Sequence, residues 1–405
     1  MVIRSELVNR NLAILVLAQA AAVSGTVAVV TIGGIAGREL AGNPALATLP
    51  VSLLIVGTAL CTVLASWTMA RIGRGRGFAL GAGAGALGSG LAIVAIATRS
   101  FALFCAASVL IGCAAAFSQQ YRFAAMESVS AAAAPKAVSV VLVGSMLGAV
   151  AGPGLVAGPG LVARGESWMP NIQFGGAFAV IAGCYLLAAS VLMALRPMPY
   201  ATDDGRPEVA RSLPAIARSR LFIAAVMGAA IGQGVMSFVM TAAPLAMHLV
   251  DQYSLEVTAN IIQTHVLAMY LPSLISGYLM TRFGVGRVML AGAALLGATL
   301  AAGLAGRHIL HYGAAMVLLG VGWNFLYVGG TALLARAHRP VERFRVQALN
   351  DFTIFGIAAI GSLGAGVVMQ ALGWDAVLYA SLAPIAVAAA AIVWAAPDRS
   401  AEAVR

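Results

Sequence analysis

The chain has 405 residues, of which 61% are hydrophobic and only 9% charged, with a net charge of +10 and a mean hydropathy of +0.95. A soluble domain carries roughly 25% charged residues, so this composition excludes a water-soluble globular fold. The basic excess falls in short clusters between apolar stretches, without interleaved aromatic residues, so no nucleic-acid partner is expected.

Twelve apolar stretches follow one another: 12–36, 47–70, 78–98, 101–121, 137–163, 175–195, 221–247, 257–280, 288–304, 309–335, 346–372 and 377–396. A helix crosses a bilayer with about 20 apolar residues, each rising roughly 1.5 Å. Barrel strands are shorter and alternate in polarity. The expectation is therefore an all-α polytopic membrane protein with twelve transmembrane helices. Arg4 and Arg10 precede a first stretch long enough to remain as a span, so a cleaved leader is not expected. Gly81, Gly83, Gly85, Gly88 and Gly90 give the third stretch a small face for close helix packing. Cys61, Cys105, Cys113 and Cys184 lie in apolar stretches without metal-ligand spacing and are expected to be free, buried thiols.

With the N-terminus inside, twelve spans leave only Arg38, Arg99, Arg164 and Arg307 of the 24 Lys and Arg residues on the outer side. That bias follows the positive-inside rule and puts both termini in the cytoplasm, in a multi-pass inner-membrane protein. The longest internal polar stretch, with Asp203, Asp204 and Gly205, follows span six. It divides the chain into an N-terminal six-helix bundle (1–195), a cytoplasmic linker (196–219) and a C-terminal six-helix bundle (220–405).

An internal repeat supports this division. Met69-Ala70-Arg71-Ile72-Gly73-Arg74-Gly75-Arg76 lies between spans two and three. Met280-Thr281-Arg282-Phe283-Gly284-Val285-Gly286-Arg287 lies half a chain later, between spans eight and nine. Both loops resemble the signature loop of the major facilitator superfamily, G-x-L-a-D-r-x-G-r-r. Gly277, Leu279, Arg282, Gly284 and Arg287 fit the second copy, while Arg71, Gly73, Arg74 and Arg76 fit the first. The acidic position is Ala70 in one and Thr281 in the other, which weakens a charge relay there. Stretches such as Gln119-Gln120-Tyr121-Arg122-Phe123-Ala124-Ala125 and Val346-Gln347-Ala348-Leu349-Asn350-Asp351-Phe352 are similar to a bacterial subgroup of unassigned substrate. The resemblance implies two bundles related by a pseudo-two-fold axis, with a small-molecule substrate bound near the membrane midplane by helices one, four, seven and ten.

On those helices the polar candidates for a substrate cavity are Gln19, Ser24, Thr26, Gln119, Gln120, Gln233, Ser237, Thr241, Trp323, Asn324 and Tyr327. The set is rich in amides and aromatics and poor in acids, which suits a neutral, anionic or mixed aromatic-polar solute. The plain alternative for each amide is an interhelical hydrogen bond. Two ionisable residues are candidates for proton coupling. His265 lies inside a span and titrates near 6.5 when unperturbed, while Asp351 opens span eleven and is open to a simple helix-dipole role. Arg122 is expected to pair locally with Glu127 or to snorkel, an anion contact being the alternative. A sharper expectation makes Asp351 part of a cytoplasmic gate, meeting Arg71 or Arg74 when the inner side is closed.

Span five carries Gly144, Gly148, Gly152-Pro153 and Gly158-Pro159, loosely resembling the motif of antiporters, although Val156 and Ala157 replace its trailing glycines. The leading expectation is a secondary transporter (a permease or antiporter) for a small organic solute, with efflux slightly favoured and protons as the candidate coupling ion. Uptake of a vitamin or metabolite is the second reading, and a non-transporting receptor or assembly factor the third. The sequence has no phosphate-binding loop, no catalytic-metal motif and no nucleophile–base pair, so neither an enzyme nor a bound cofactor or metal is expected. The lipid bilayer and the solute are the expected partners of a monomer.

Overall fold

The computed structural model describes residues 9–42, 46, 49–130, 132–157, 169, 172, 174–196 and 210–395. Each of the twelve apolar stretches falls on helix wherever it is described, apart from short turns, and no strand occurs among the described residues. The helices are α1 (Arg10–Ala41), α2 (Leu49–Ile72), α3 (Arg74–Ala97), α4 (Phe101–Ser118), α5 (Tyr121–Glu127), α6 (Ala134–Ala157) and α7 (Gly175–Leu192). They continue as α8 (Leu213–Ala217), α9 (Arg220–Leu245), α10 (Leu255–Tyr270), α11 (Ser273–Phe283), α12 (Val285–Leu304), α13 (Ile309–Ala337) and α14 (Arg343–Trp394). Among the described residues, eight helical segments are long and apolar enough to cross a membrane.

Local chemistry sets the ends of these helices. Asn9, Ser100, Ser219 and Ser254 each accept a hydrogen bond from a backbone N–H in the first turn of α1, α4, α9 and α10, as N-cap residues do. Span eight is broken at Leu271–Pro272, because proline cannot donate the helical hydrogen bond there. Spans eleven and twelve run on as α14 and are separated only by Gly373, whose φ of 82° leaves the helical region. Pro244 inside α9 is followed by a wide π-helical turn, Ala246–Val250.

Small residues let the helices meet. A side chain at Gly57 would strike the Val109 carbonyl across α2 and α4, and one at Gly112 would strike that of Leu54. Along α3, Gly81, Gly85 and Gly88 face Phe117, Tyr185 and Ile111, whereas Gly83 and Gly90 face open space, so part of the expected small face packs. Outward positions carry large apolar groups, such as Leu87 at 66% and Ile360 at 73% exposure, which suits a lipid-facing surface.

The cysteine expectation needs correcting. Cys61 and Cys113 are joined by a disulfide between α2 and α4, their Cα atoms 5.1 Å apart. The glycine contacts of those two helices bring the chains close enough for it. Cys105 and Cys184 are free but half-buried, since both lie on helix faces that are only partly covered.

The chain divides into two compact units. One comprises Met1–Arg206 with Gln347–Ala359, and the other Pro207–Val346 with Ile360–Arg405. The first turns of expected span eleven thus group with the first half of the sequence. Most of the expected linker, including Asp203, Asp204 and Gly205, lies outside the described residues, as does Gly158-Pro159.

Candidate functional site

In the first unit, the signature loop leads into a buried polar network. Gly73, with φ 83° and ψ 165°, turns the chain from α2 into α3 and delivers Arg74 at the first position of α3. The Arg74 guanidinium donates to Glu127 Oε1 at 2.5 Å and Oε2 at 3.2 Å, to Gln120 Oε1 at 3.1 Å and to Gln347 Oε1 at 2.8 Å. Gln120 passes the chain on, its Nε2 donating to Ser66 Oγ at 2.6 Å. A planar five-donor fork suits such a set of acceptors where a lysine ammonium would not.

Arg122, on α5, does not snorkel and does not pair with Glu127. It is 2% exposed and its Nη2 donates to Asp351 Oδ1, while Glu127 is taken by Arg74. Asp351 is fully buried, two turns inside α14 rather than at its start, because the helix begins at Arg343. Asn350 Nδ2 also donates to Asp351 Oδ1 at 2.8 Å. Of the residues expected to meet Asp351, Arg71 is exposed and stacks on Trp67 with its guanidinium carbon 3.8 Å from the ring, while Arg74 reaches Gln347, one turn before Asp351. Charge of both signs is therefore buried here as two paired sets, the arrangement buried ions need.

Elsewhere in this unit the expected cavity residues make interhelical bonds. Gln19 Nε2 donates to Ser145 Oγ at 2.8 Å, and Gln19 Oε1 is buried without a hydrogen-bond partner among the described residues. Ser24 Oγ donates to the Ala20 and Gly148 carbonyls, and Thr26 Oγ1 lies 3.3 Å from the Tyr185 hydroxyl. Gln119 is half-buried in the turn between α4 and α5.

The second unit holds an aromatic and amide cluster. On α9, Gln233, Ser237 and Thr241 stand at i, i+4 and i+8, one helical face. Trp323 Nε1 donates to Gln233 Oε1 at 2.7 Å. The Trp323 ring stacks on Tyr327, one turn along α13, with centroids 4.8 Å apart and planes 18° apart. Tyr270 meets the Trp323 ring edge-on at 5.9 Å and 89°. Thr241 Oγ1 lies 3.2 Å from Ser362 Oγ.

Two expected candidates turn away from this cluster. Asn324 is fully buried and its Nδ2 donates to the Met269 carbonyl at 2.8 Å and Ser273 Oγ at 2.7 Å, so it ties α13 to both sides of the Pro272 break. His265 is fully buried with Nδ1 2.8 Å from the Met316 carbonyl. A carbonyl only accepts, so Nδ1 carries the proton in the neutral ring, and Nε2 has no hydrogen-bond partner among the described residues.

The second signature copy repeats the turn without the network. Gly284 has φ 89° and ψ 145°, and Arg282, Phe283 and Arg287 are exposed around it. Among the described residues of this unit the buried acid is Glu342, clamped by Arg211 through Nε at 2.9 Å and Nη2 at 2.7 Å, with the Arg211 backbone N–H at 2.8 Å. These bonds hold the Glu342 carboxyl down to about 2, well below the usual range. Sequence reasoning missed Glu342, Gln347, Asn350 and Tyr270 as network members. Gln347 and Asn350 stand in a stretch already singled out, but nothing in linear spacing names their partners.

A family model described as Major Facilitator Superfamily matches residues 12–272. Riboflavin transporter RfnT of Brucella anthropi is 36% identical over 374 residues, covering 91% of this chain and 91% of that protein. The uncharacterized MFS-type transporter YddS of Bacillus subtilis is 30% identical over 381 residues, 90% of this chain and 86% of that one. Among solved structures, the human organic anion transporter MFSD10 is similar with a TM-score of 0.77 at 16% identity, covering 95% of this chain and 99% of its own. FucP in the outward conformation gives 0.71 at 16% identity, covering 96% and 98%. At such identities the structural likeness speaks for the fold alone.

Proposed function

We propose, from the premise that this chain belongs to the Major Facilitator Superfamily, that it is a secondary transporter taking up riboflavin or a close planar relative by alternating access. The observation that carries this reading is the cluster of Trp323, Tyr327, Tyr270 and Gln233, in which the half-buried Tyr270 ring and Gln233 amide are backed by the buried Trp323 and Tyr327 rings. Riboflavin joins a flat tricyclic ring, which stacks on aromatic side chains, to carbonyl and hydroxyl groups that need hydrogen bonds. The 36% identity to a riboflavin transporter along nearly the whole chain supports the same solute. We adopt uptake over efflux because the export-like stretch of span five is incomplete at Val156 and Ala157.

The basic residues favour an inner-membrane placement with both termini in the cytoplasm. We further assign Arg122–Asp351 and the Arg74 network to gating: these contacts hold in one state of the cycle and break in the other. Asp351 is then the stronger candidate for proton coupling. Its carboxylate faces a cation that protonation would release, whereas His265 has no acceptor waiting at Nε2.

The test is riboflavin uptake into proteoliposomes carrying the purified protein, with and without an inside-alkaline pH gradient. Saturable uptake stimulated by the gradient, and weakened in Asp351→Asn, is expected. Liposomes that accumulate no riboflavin in either direction, from a protein that riboflavin does not stabilise against heat, would overturn the proposal.

A further inference from the structure

We infer, resting on the riboflavin reading, that Gln233 is the specificity-determining residue that reads the carbonyl edge of the solute ring, with Trp323 as the positioning residue that fixes the direction of its amide. A glutamine amide has one accepting and one donating end, and a free one can turn either toward a solute. Here the choice is made by the protein. An indole N–H only donates, so the atom 2.7 Å from Trp323 Nε1 must be the Gln233 carbonyl oxygen. The indole cannot swing away to release it. It is 4% exposed, stacked on Tyr327 at 4.8 Å and met edge-on by Tyr270 at 5.9 Å.

With Oε1 occupied, Gln233 turns its Nε2 hydrogens away from the indole. The side chain is half-buried on α9, and it stands on the same face as Ser237 and Thr241. That face presents a fixed pair of donors beside an aromatic cluster, and only an accepting group fits a donor. The pyrimidinedione carbonyls of a flavin fit. A planar ring of similar size bearing only amino donors would leave both partners' N–H groups opposed, and buried donors without acceptors are penalised. A site built this way rejects the analogue lacking the matching group more strongly than an apolar pocket rejects a change of shape.

The experiment compares riboflavin with proflavine, a flat tricyclic amine without carbonyls, in proteoliposomes at pH 8. Wild type is expected to prefer riboflavin. Gln233→Glu keeps an oxygen for the Trp323 N–H but replaces the outward donors by an ionised acceptor. Its riboflavin KM should rise at least about tenfold with a smaller change in maximal rate, and its preference should turn toward proflavine. Trp323→Phe keeps an aromatic ring but frees the amide, so the ratio of riboflavin to proflavine uptake should fall toward one. This second variant carries the test if Gln233→Glu does not fold. Wild-type uptake of riboflavin with unchanged preference in the folded variants would overturn the inference and leave the transport reading standing. No riboflavin transport by wild type would overturn both.

Discussion

Gly73 and Gly284 open two copies of one turn, and their backbones nearly coincide at φ 83°, ψ 165° and φ 89°, ψ 145°. Two residues before each glycine an arginine lies against an aromatic side chain one turn back. Arg71 stacks over Trp67 at 3.8 Å, and Arg282 Nη1 donates to the Tyr278 hydroxyl at 3.0 Å. The copies part at the next position. Arg74 enters the protein and binds Glu127, Gln120 and Gln347, whereas Val285 carries no polar group to do so. Each unit still buries an acid, but with a different partner: Asp351 with Arg122 in one, Glu342 with Arg211 in the other. The repeat thus conserves a backbone shape while the ion pairs are specific to each unit. Shape is required for the turn in both, while the Arg74 and Arg122 pairs occur in the first unit alone among the described residues.

The largest expected effect lies in the buried pair of the first unit. Asp351→Ala would leave the Arg122 guanidinium inside the protein without its carboxylate, at a cost of about 3–5 kcal/mol. Replacing both by leucine should recover a large part of that loss, because the unpaired charge goes too. Thermal unfolding of the two variants in detergent measures the difference. A double variant no more stable than the single one would mean that packing, not charge, dominates this site.

The pair of the second unit should respond differently, because Arg211 is 38% exposed while Glu342 is 1% exposed. Glu342 has a folded value of about 2, below the roughly 4.3 of an unfolded chain. A lowered carboxyl contributes its stability in full above the unfolded value and loses it as the pH falls from there through the folded one. Glu342→Gln is therefore expected to cost about 2 kcal/mol at pH 7, after allowance for solvent around Arg211. That gap should narrow steadily from about pH 5 downward. A gap independent of pH would assign the effect to shape at the loop and remove Glu342 from the comparison.

Much of this fold can be read from the chain itself, because lipid imposes a simple rule of length and apolarity on every span. The glycine turn was equally legible, since an Arg-x-Gly motif repeated half a chain apart marks one backbone geometry used twice. Side-chain partners were not. Arg122 and Glu127 are near in sequence and looked like a pair, yet burial on α5 turned Arg122 toward Asp351, 229 residues away, and left Glu127 to Arg74. Asn324 read as a cavity residue because its neighbours Trp323 and Tyr327 do. One step along a helix turns a side chain by about 100°, and that step carries Asn324 to the broken span eight. The disulfide was hidden for a similar reason, since Cys61 and Cys113 stand 52 residues apart and become neighbours only through the glycines of α2 and α4.

The smallest expected effect separates the shape from what it holds. No atom lies within 4 Å of a Cβ added at Gly73 or Gly284, so alanine at either position meets only the strain of a backbone region that side chains avoid. That strain is about 1–3 kcal/mol. If the two turns are equivalent parts of one repeat, Gly73→Ala and Gly284→Ala should destabilise the protein by the same amount within about 0.5 kcal/mol, the usual tolerance for independent sites. A larger loss at Gly73 would mean that relaxing the turn also pulls Arg74 from Glu127, Gln120 and Gln347. Adding Arg74→Ala to each variant resolves the two cases: the excess at Gly73 should vanish when Arg74 is absent, while Gly284→Ala should be indifferent to it.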